Sequence, residues 1–432
     1  MERTFSHKIG YATEFIKLPF MLLMVLVVWN QSHFQFQVYW SNMILKQGII
    51  WLGFLAILFA TTSLFVIKKF PKILVEVTLF YVVIIVFYGI LDYLSGTNKL
   101  LFVAKTLVVS FLMLPMISCK KTLLQLIKLN FFLGICLIFL NTIPVLHWKD
   151  IIKLAYESVP RIGGAVDRPD LNPFSFGIFG RTENYVYSGV SEKFARLQGW
   201  SSEPLHWSYF VFLTMTCGFL FIAGRGGSLF HIHSFLFLAI VAVHLRYVYS
   251  STAFFTLAAF IAMYCLVNAV RWFSVLQRYE LAMGYFSLII VPGLLVPFLL
   301  VLIPNVSEFF LQEQLLGEGS NWVTKIDFLS LSVSLYERFF PLFNEELPVV
   351  SHNLILSTYI KVGYFFLLPL LIFLWMFMRY TYKNMPIPLA LASVLAILTH
   401  TLTVPTHFFY PSGAMLFLMV IGVAYHLRLK NA

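Results

Sequence analysis

Charge is what this chain has least of. Asp, Glu, Lys and Arg make up 11% of its 432 residues, against about a quarter of a typical soluble domain. That shortage excludes a soluble enzyme on a membrane anchor, a nucleic-acid-binding protein and a disordered chain, all of which need charged surface. Cysteine is scarce too. Cys119, Cys136, Cys217 and Cys265 are scattered, with no metal-ligand spacing, which excludes a secreted disulfide scaffold and a cysteine-held metal. No A-x-A-like cleavage site accompanies the polar residues 1–10, so the first apolar run reads as a retained span. There is no repeat at a fixed period and no pair of inverted halves of the kind many transporters show.

What the chain has instead is apolar length. Hydrophobic residues are 60% of it and aromatics 18%, and the mean hydropathy is +0.85. About twelve stretches approach the roughly 20 apolar residues that cross a bilayer: 16–34, 48–67, 73–94, 100–118, 123–147, 205–223, 228–247, 252–270, 282–303, 353–378, 386–404 and 409–427. Backbone groups in lipid must be satisfied within the segment, so the spans are expected to be helices, and the alternation of a β-barrel is absent. The expected fold is an all-α polytopic transmembrane bundle of about 12 spans, one integral membrane domain over residues 1–432.

The formal net charge is +11, and most of the basic residues sit in short gaps. Lys68, Lys69 and Lys72, then Lys120 and Lys121, Arg225, Arg271 and Arg278, Arg379 and Lys383, and Arg428 and Lys430 all fall on the side of the N-terminus. The positive-inside rule places that side, and both termini, in the cytoplasm. Two long gaps, 148–204 and 304–351, then face outward. Loops of this length are usually functional or disordered, and these two hold much of the chain's charge, including Arg181, Glu192, Glu308 and Glu345.

Two stretches at the ends of these loops have the residue types for chemistry. The first is Arg196-Leu-Gln-Gly199-Trp-Ser-Ser-Glu203-Pro204-Leu-His206. Pro204 suits a first helical turn and Glu203 sits at the positive end of the helix dipole; an ordinary acidic cap beside a loop arginine would read the same way. The second is Ser351-His352-Asn353 running to Lys361-Val-Gly363. Ser351 is an N-cap candidate. His352, at the mouth of the bundle, is a candidate general base, although a lone histidine is more often structural. Lys361 lies roughly 13 Å further along a helix, where a cation faces the bundle interior or snorkels. Lys105, near the outer end of its span, can snorkel.

These stretches resemble the O-antigen polymerase and O-antigen ligase group of bacterial inner-membrane glycosyltransferases. Members carry an Arg-x-x-Gly…Glu-Pro element before a span, matched here by Arg196, Gly199 and Glu203-Pro204. Ligase-like members add a His-Asn followed by Glu-x-Gly; here it is His352-Asn353 with Lys361-Val-Gly363, Lys standing where Glu is common. The Ser-Arg of many members is missing from Tyr249-Ser250-Ser251-Thr252, with Arg246 the nearest substitute, and Gly317-Glu-Gly-Ser320…Lys325 is similar to a polymerase pattern with Lys for Arg. The layout covers the whole chain, the motifs only about twenty residues.

The resemblance implies a metal-independent, inverting glycosyl transfer at the periplasmic face of the inner membrane, with no cofactor. Its substrates would be undecaprenyl diphosphate-linked oligosaccharides, its partners the lipid bilayer and a chain-length-regulating co-polymerase, with no nucleic acid. Arg196 would hold the diphosphate, with Arg338, Lys325 and Arg246 behind it, since a guanidinium offers a bidentate fork. His352 would take the acceptor proton, Glu203 would position Arg196 or His352 or hold an acceptor hydroxyl, and Asn353 and Lys361 would line the substrate. The departures from the ligase pattern favour a polymerase over a ligase that delivers glycan to lipid A core in lipopolysaccharide. The rival of another class is a lipid-linked oligosaccharide flippase or other transporter. Gly224-Arg-Gly-Gly227 lacks phosphate-loop spacing, His231 and His233 point apart on a helix, and Asp167-Arg-Pro-Asp170 reads as a turn.

Overall fold

The computed structural model describes residues 21–22, 24–26, 28–29, 70–94, 100–140, 177–180, 195–199, 204–225, 239, 241–242, 251–272, 354–385, 388–403 and 406–431. Helices dominate: α1 (Lys72–Leu94), α2 (Leu100–Ser118), α3 (Lys120–Leu140), α4 (Pro204–Arg225), α5 (Ser251–Trp272), α6 (Leu354–Asn384), α7 (Pro388–Thr403), the short α8 (Thr406–Phe409) and α9 (Pro411–Asn431). Pro204, Pro388 and Pro411 open their helices, at the position where a missing N–H costs nothing. Pro115 and Pro369 lie inside α2 and α6, which membrane helices tolerate because neighbours re-satisfy the freed backbone.

Among the described residues four helices are long and apolar enough to cross a membrane, over Lys72–Ile90, Lys120–Phe139, His206–Arg225 and Pro411–Leu429; Val103–Ser118, Thr256–Ala269 and Ala390–Leu402 are shorter apolar helices. These helices fall on the apolar stretches of the sequence to within a few residues, and residues 141–147 of the fifth stretch lie outside the described residues. The stretches 48–67 and 282–303 lie outside the described residues, as does most of 16–34 and 228–247.

One element departs from an all-helical chain. Inside the first long gap, β1 (Gly177–Gly180) pairs antiparallel with β2 (Ala195–Gly199), with Phe179 opposite Arg196 and a bulge between Gly177 and Ile178. The ribbon was not foreseen because its strands are four and five residues long, too short for alternation to register. The second gap, 304–351, lies outside the described residues.

α4 is the innermost of the long spans. Of its apolar window 89% is buried, against 33% for α3, yet α4 is the less apolar of the two. Lipid is as apolar as Leu, so the lipid-facing helix needs no polar groups, while the interior helix can pair its own. α4 packs on α3, α7, α9 and β2; α5 packs chiefly on α7, and α2 on α9 and α1. Close approach of α3 and α4 requires Gly134, where a Cβ would collide with the Thr214 hydroxyl. Near Trp29, the indole N–H donates to Asn130 Oδ1 at 3.2 Å, and the Asn130 amide donates in turn to Leu126 O. An aromatic cluster of Tyr81, Phe373, Phe377, Phe408 and Phe417 ties α1, α6, α8 and α9 together.

The packing sorts the helix ends. His426 of α9 is 2.9 Å from Ile117 O at the end of α2, Gly422 abuts Ile117 and Leu123, and Gly224 abuts Leu124. The ends bearing Lys120, Arg225 and Arg428 are therefore together. The start of α4, the end of α7 and the start of α9 meet at the opposite end, next to the end of α1 and the start of α2.

Candidate functional site

The end opposite the basic residues is built around a break in the C-terminal helices. Pro405 stands in the sequence between α7 and α8, and Pro411 starts α9 immediately after α8. Such breaks strand carbonyls that lipid cannot satisfy. Neighbouring helices supply the donors here: the Tyr81 hydroxyl donates to Phe408 O at 2.7 Å and the Thr106 hydroxyl to Phe409 O at 2.6 Å. Tyr88 stacks on Phe409 with ring centroids 3.6 Å apart. The turn is tight enough that a Cβ on Gly413 would collide with His407 O.

Three histidines from three helices converge beside this break. His206 Nδ1 of α4 lies 2.7 Å from His407 Nε2 of α8, a hydrogen bond whose donor depends on the tautomer. Ser208 Oγ of α4 lies 2.9 Å from His400 Nε2 of α7. His400 and His407 have ring centroids 5.2 Å apart, and Tyr209 stacks on His407 at 4.0 Å with the planes 17° apart. His400, His407, Ser208 and Tyr209 are fully buried, and His206 is 7% exposed at the rim. The rings hydrogen-bond to each other or to serine; among the described residues no group of three or more His, Cys, Asp or Glu is arranged to hold a metal ion.

Lys105 shares this end. It immediately precedes Thr106 and is only 6% exposed, where the sequence left it able to snorkel. α2 packs on α9 and on α8. The ionisable side chains described as buried at this end are His206, His400, His407 and Lys105.

Of the residues singled out in the sequence, Arg196 lies on β2 and Lys361 on α6. They stand on elements with different neighbours: β2 packs on β1 and α4, and α6 on α1, α7 and α9. Glu203, Arg246, Lys325, Arg338, His352 and Asn353 lie outside the described residues. The strand carrying Arg196 leads through four residues into Pro204, the first residue of α4, which puts His206 close behind it in the chain. His400 and His407 were missed from the sequence. Each is a lone histidine in an apolar run, and the available signal was their seven-residue spacing across Pro405.

The fold defines a helical membrane protein with a polar, histidine-bearing end. No family model matches the chain, and no curated protein or solved structure is significantly similar to it.

Proposed function

We propose that the chain is a polymerase that joins undecaprenyl diphosphate-linked oligosaccharide repeat units by inverting, metal-independent glycosyl transfer at the periplasmic face of a bacterial inner membrane. The observation that carries this reading is the Arg196…Gly199…Glu203-Pro204 element, whose arginine strand feeds directly into α4. In the proposal about twelve spans cross the membrane, both termini are cytoplasmic, and the loops 148–204 and 304–351 are periplasmic. Arg196 neutralises the diphosphate leaving group through a bidentate fork. His352 takes the proton of the acceptor hydroxyl, and the hydroxyl oxygen attacks the anomeric carbon as the diphosphate departs. Glu203 orients one of these groups, and Arg338, Lys325, Arg246, Asn353 and Lys361 hold the substrates.

The deciding experiment is the surface-polysaccharide ladder of a strain lacking the protein. Core bearing a single repeat supports the polymerase; bare core with polymer retained on the carrier lipid means a ligase instead. The topology is checked by labelling single cysteines with an impermeant reagent in a cysteine-free background. Positions near Gly180 and Glu318 should label from outside, and Lys69→Cys should not. Activity of the purified protein should survive EDTA; loss on chelation with recovery on adding magnesium would refute the metal-independent mechanism.

One observation favours a second reading, a transporter. Ionisable residues inside membrane helices often mark ion or substrate pathways, and His206, His400, His407 and Lys105 are all buried in the bundle. A transporter predicts that a strain lacking the protein accumulates lipid-linked repeats on the cytoplasmic side and displays none.

A further inference from the structure

We propose that the outward face of α3 is a binding site for one anionic phospholipid, in the leaflet that the basic end of the bundle faces.

The site is a line of residues along one helix. Lys121, Gln125, Lys128, Phe132 and Phe139 recur at helical spacing, which confines them to a strip about 60° wide on the surface of α3. Lys121, Lys128, Phe132 and Phe139 are exposed and Gln125 is half-buried. Leu123, Leu126, Ile127 and Asn130 occupy the opposite face and are buried. The outward line is thus polar over its first two turns and aromatic beyond them.

Lys128 sets the depth of the site. It lies about 12 Å along the helix from Lys120, inside the candidate span Lys120–Phe139. A cation facing hydrocarbon is costly unless its ammonium reaches the headgroups. Helical side chains lean toward the N-terminus of their own helix, and the N-terminus of α3 belongs to the basic end. Lys128 therefore reaches back past Gln125 toward Lys121. Two ammonium groups and one amide then offer donors along a single side of the helix, at the level where lipid phosphates lie.

The charge calls for an anion. α3 packs on α4, α9 and α2, and none of these four helices contains an Asp or Glu. Lys72, at the same end of the bundle, does have a carboxylate: Glu76 lies 3.6 Å away on α1. The first turn of α3 holds two lysines and no acidic residue, and the positive end of its helix dipole adds to their field. A zwitterionic headgroup brings its own cation into that field. An anionic headgroup brings only its phosphate, which Lys121 and Lys128 bracket while Gln125 donates to it, and its acyl chains lie along Phe132 and Phe139.

Native mass spectrometry of the full chain in detergent, titrated with phosphatidylglycerol or phosphatidylcholine, measures the affinity for the first bound lipid. The wild type should prefer phosphatidylglycerol by about 25-fold, about fivefold for each lysine. Lys128→Leu, a change that a lipid-facing position accepts, and Lys121→Gln should each lower that preference about fivefold, and Lys128→Arg should keep it. Lys120 is exposed but stands about 100° round the helix from Lys121, so Lys120→Gln should move the preference by less than about twofold. No preference in the wild type overturns the site. Equal losses from Lys120→Gln and Lys128→Leu do so too, because they reduce it to diffuse attraction toward the basic end. Displacement of the bound phosphatidylglycerol by millimolar inorganic phosphate overturns a lipid as the occupant, and its retention supports one. A dimer that Lys128→Leu splits makes the line an interface between copies and overturns the proposal. The measurement needs no turnover, so it decides the lipid site whether or not the chain extends lipid-linked repeats.

Discussion

The two ends of the bundle handle the same residue types in opposite ways. At one end Lys120, Lys121, Arg225, Arg379, Lys383 and Arg428 are all exposed. Arg225 even spreads over the ring of Phe221, 4.6 Å from its centroid, while staying at the surface. At the other end three histidines and Lys105 are buried. A solvated cation at a membrane boundary costs little and orients the protein, whereas a buried ionisable group is retained against its desolvation cost and marks a site. Net charge alone cannot distinguish these cases; which end buries its ionisable groups does.

Substitutions at the two ends should therefore differ in kind. The largest effect is expected at Arg196: Arg196→Ala should abolish polymer while the protein still reaches the membrane, and Arg196→Lys should not fully restore it, read on polysaccharide gels. Normal polymer from the Ala variant would shift the diphosphate role to Arg338. Next comes a glycine comparison. Gly413→Ala drives a Cβ into the backbone carbonyl of His407, whereas Gly422→Ala meets side-chain atoms of Ile117 and Leu123, none nearer than 2.9 Å. Gly413→Ala should cost about 3 kcal/mol or more and Gly422→Ala about 1–3 kcal/mol, measured as thermal unfolding in detergent. Equal losses would mean that the turn at α8 relaxes more easily than its hydrogen bonds suggest.

Ser208→Ala should cost about 1–3 kcal/mol, the penalty for taking a hydrogen-bond partner from a buried ring. Ser208→Thr, which keeps the hydroxyl, should recover part of it. The smallest effect is expected at the basic end, where Lys120→Gln should change stability by no more than about 0.5 kcal/mol, because the side chain is exposed. A larger loss there would make the basic end a structural site and erase the contrast.

The described helices were legible because hydropathy is summed over some twenty residues, and windows such as 73–94 and 409–427 outweigh local noise. The ribbon was not, since nine strand residues inside a charged loop carry no such sum. The Arg196 element was visible as a motif, and its place on β2 against α4 needed the fold. The histidine site lay beyond sequence reasoning for a different reason. His206 and His407 are 201 residues apart, and only the packing of α4 against α7 and α9 brings them together. Lys105 was left open because position within a span does not tell which face a neighbouring helix will cover.

The hydroxyls that close the break in the C-terminal helices have a consequence for biogenesis. Tyr81 and Phe408 are 327 positions apart and Thr106 and Phe409 are 303 apart. At roughly 5–20 residues per second, a ribosome needs on the order of 15–65 seconds to deliver the carbonyls after their donors have been made. Throughout that interval α1 and α2 sit in the translocation machinery or the bilayer before the Phe408 and Phe409 carbonyls exist. The α1–α2 pair is therefore a waiting half-site, and a chain stalled or cleaved before residue 406 carries the Tyr81 and Thr106 hydroxyls without the carbonyls they close on, a mark by which membrane quality control recognises it.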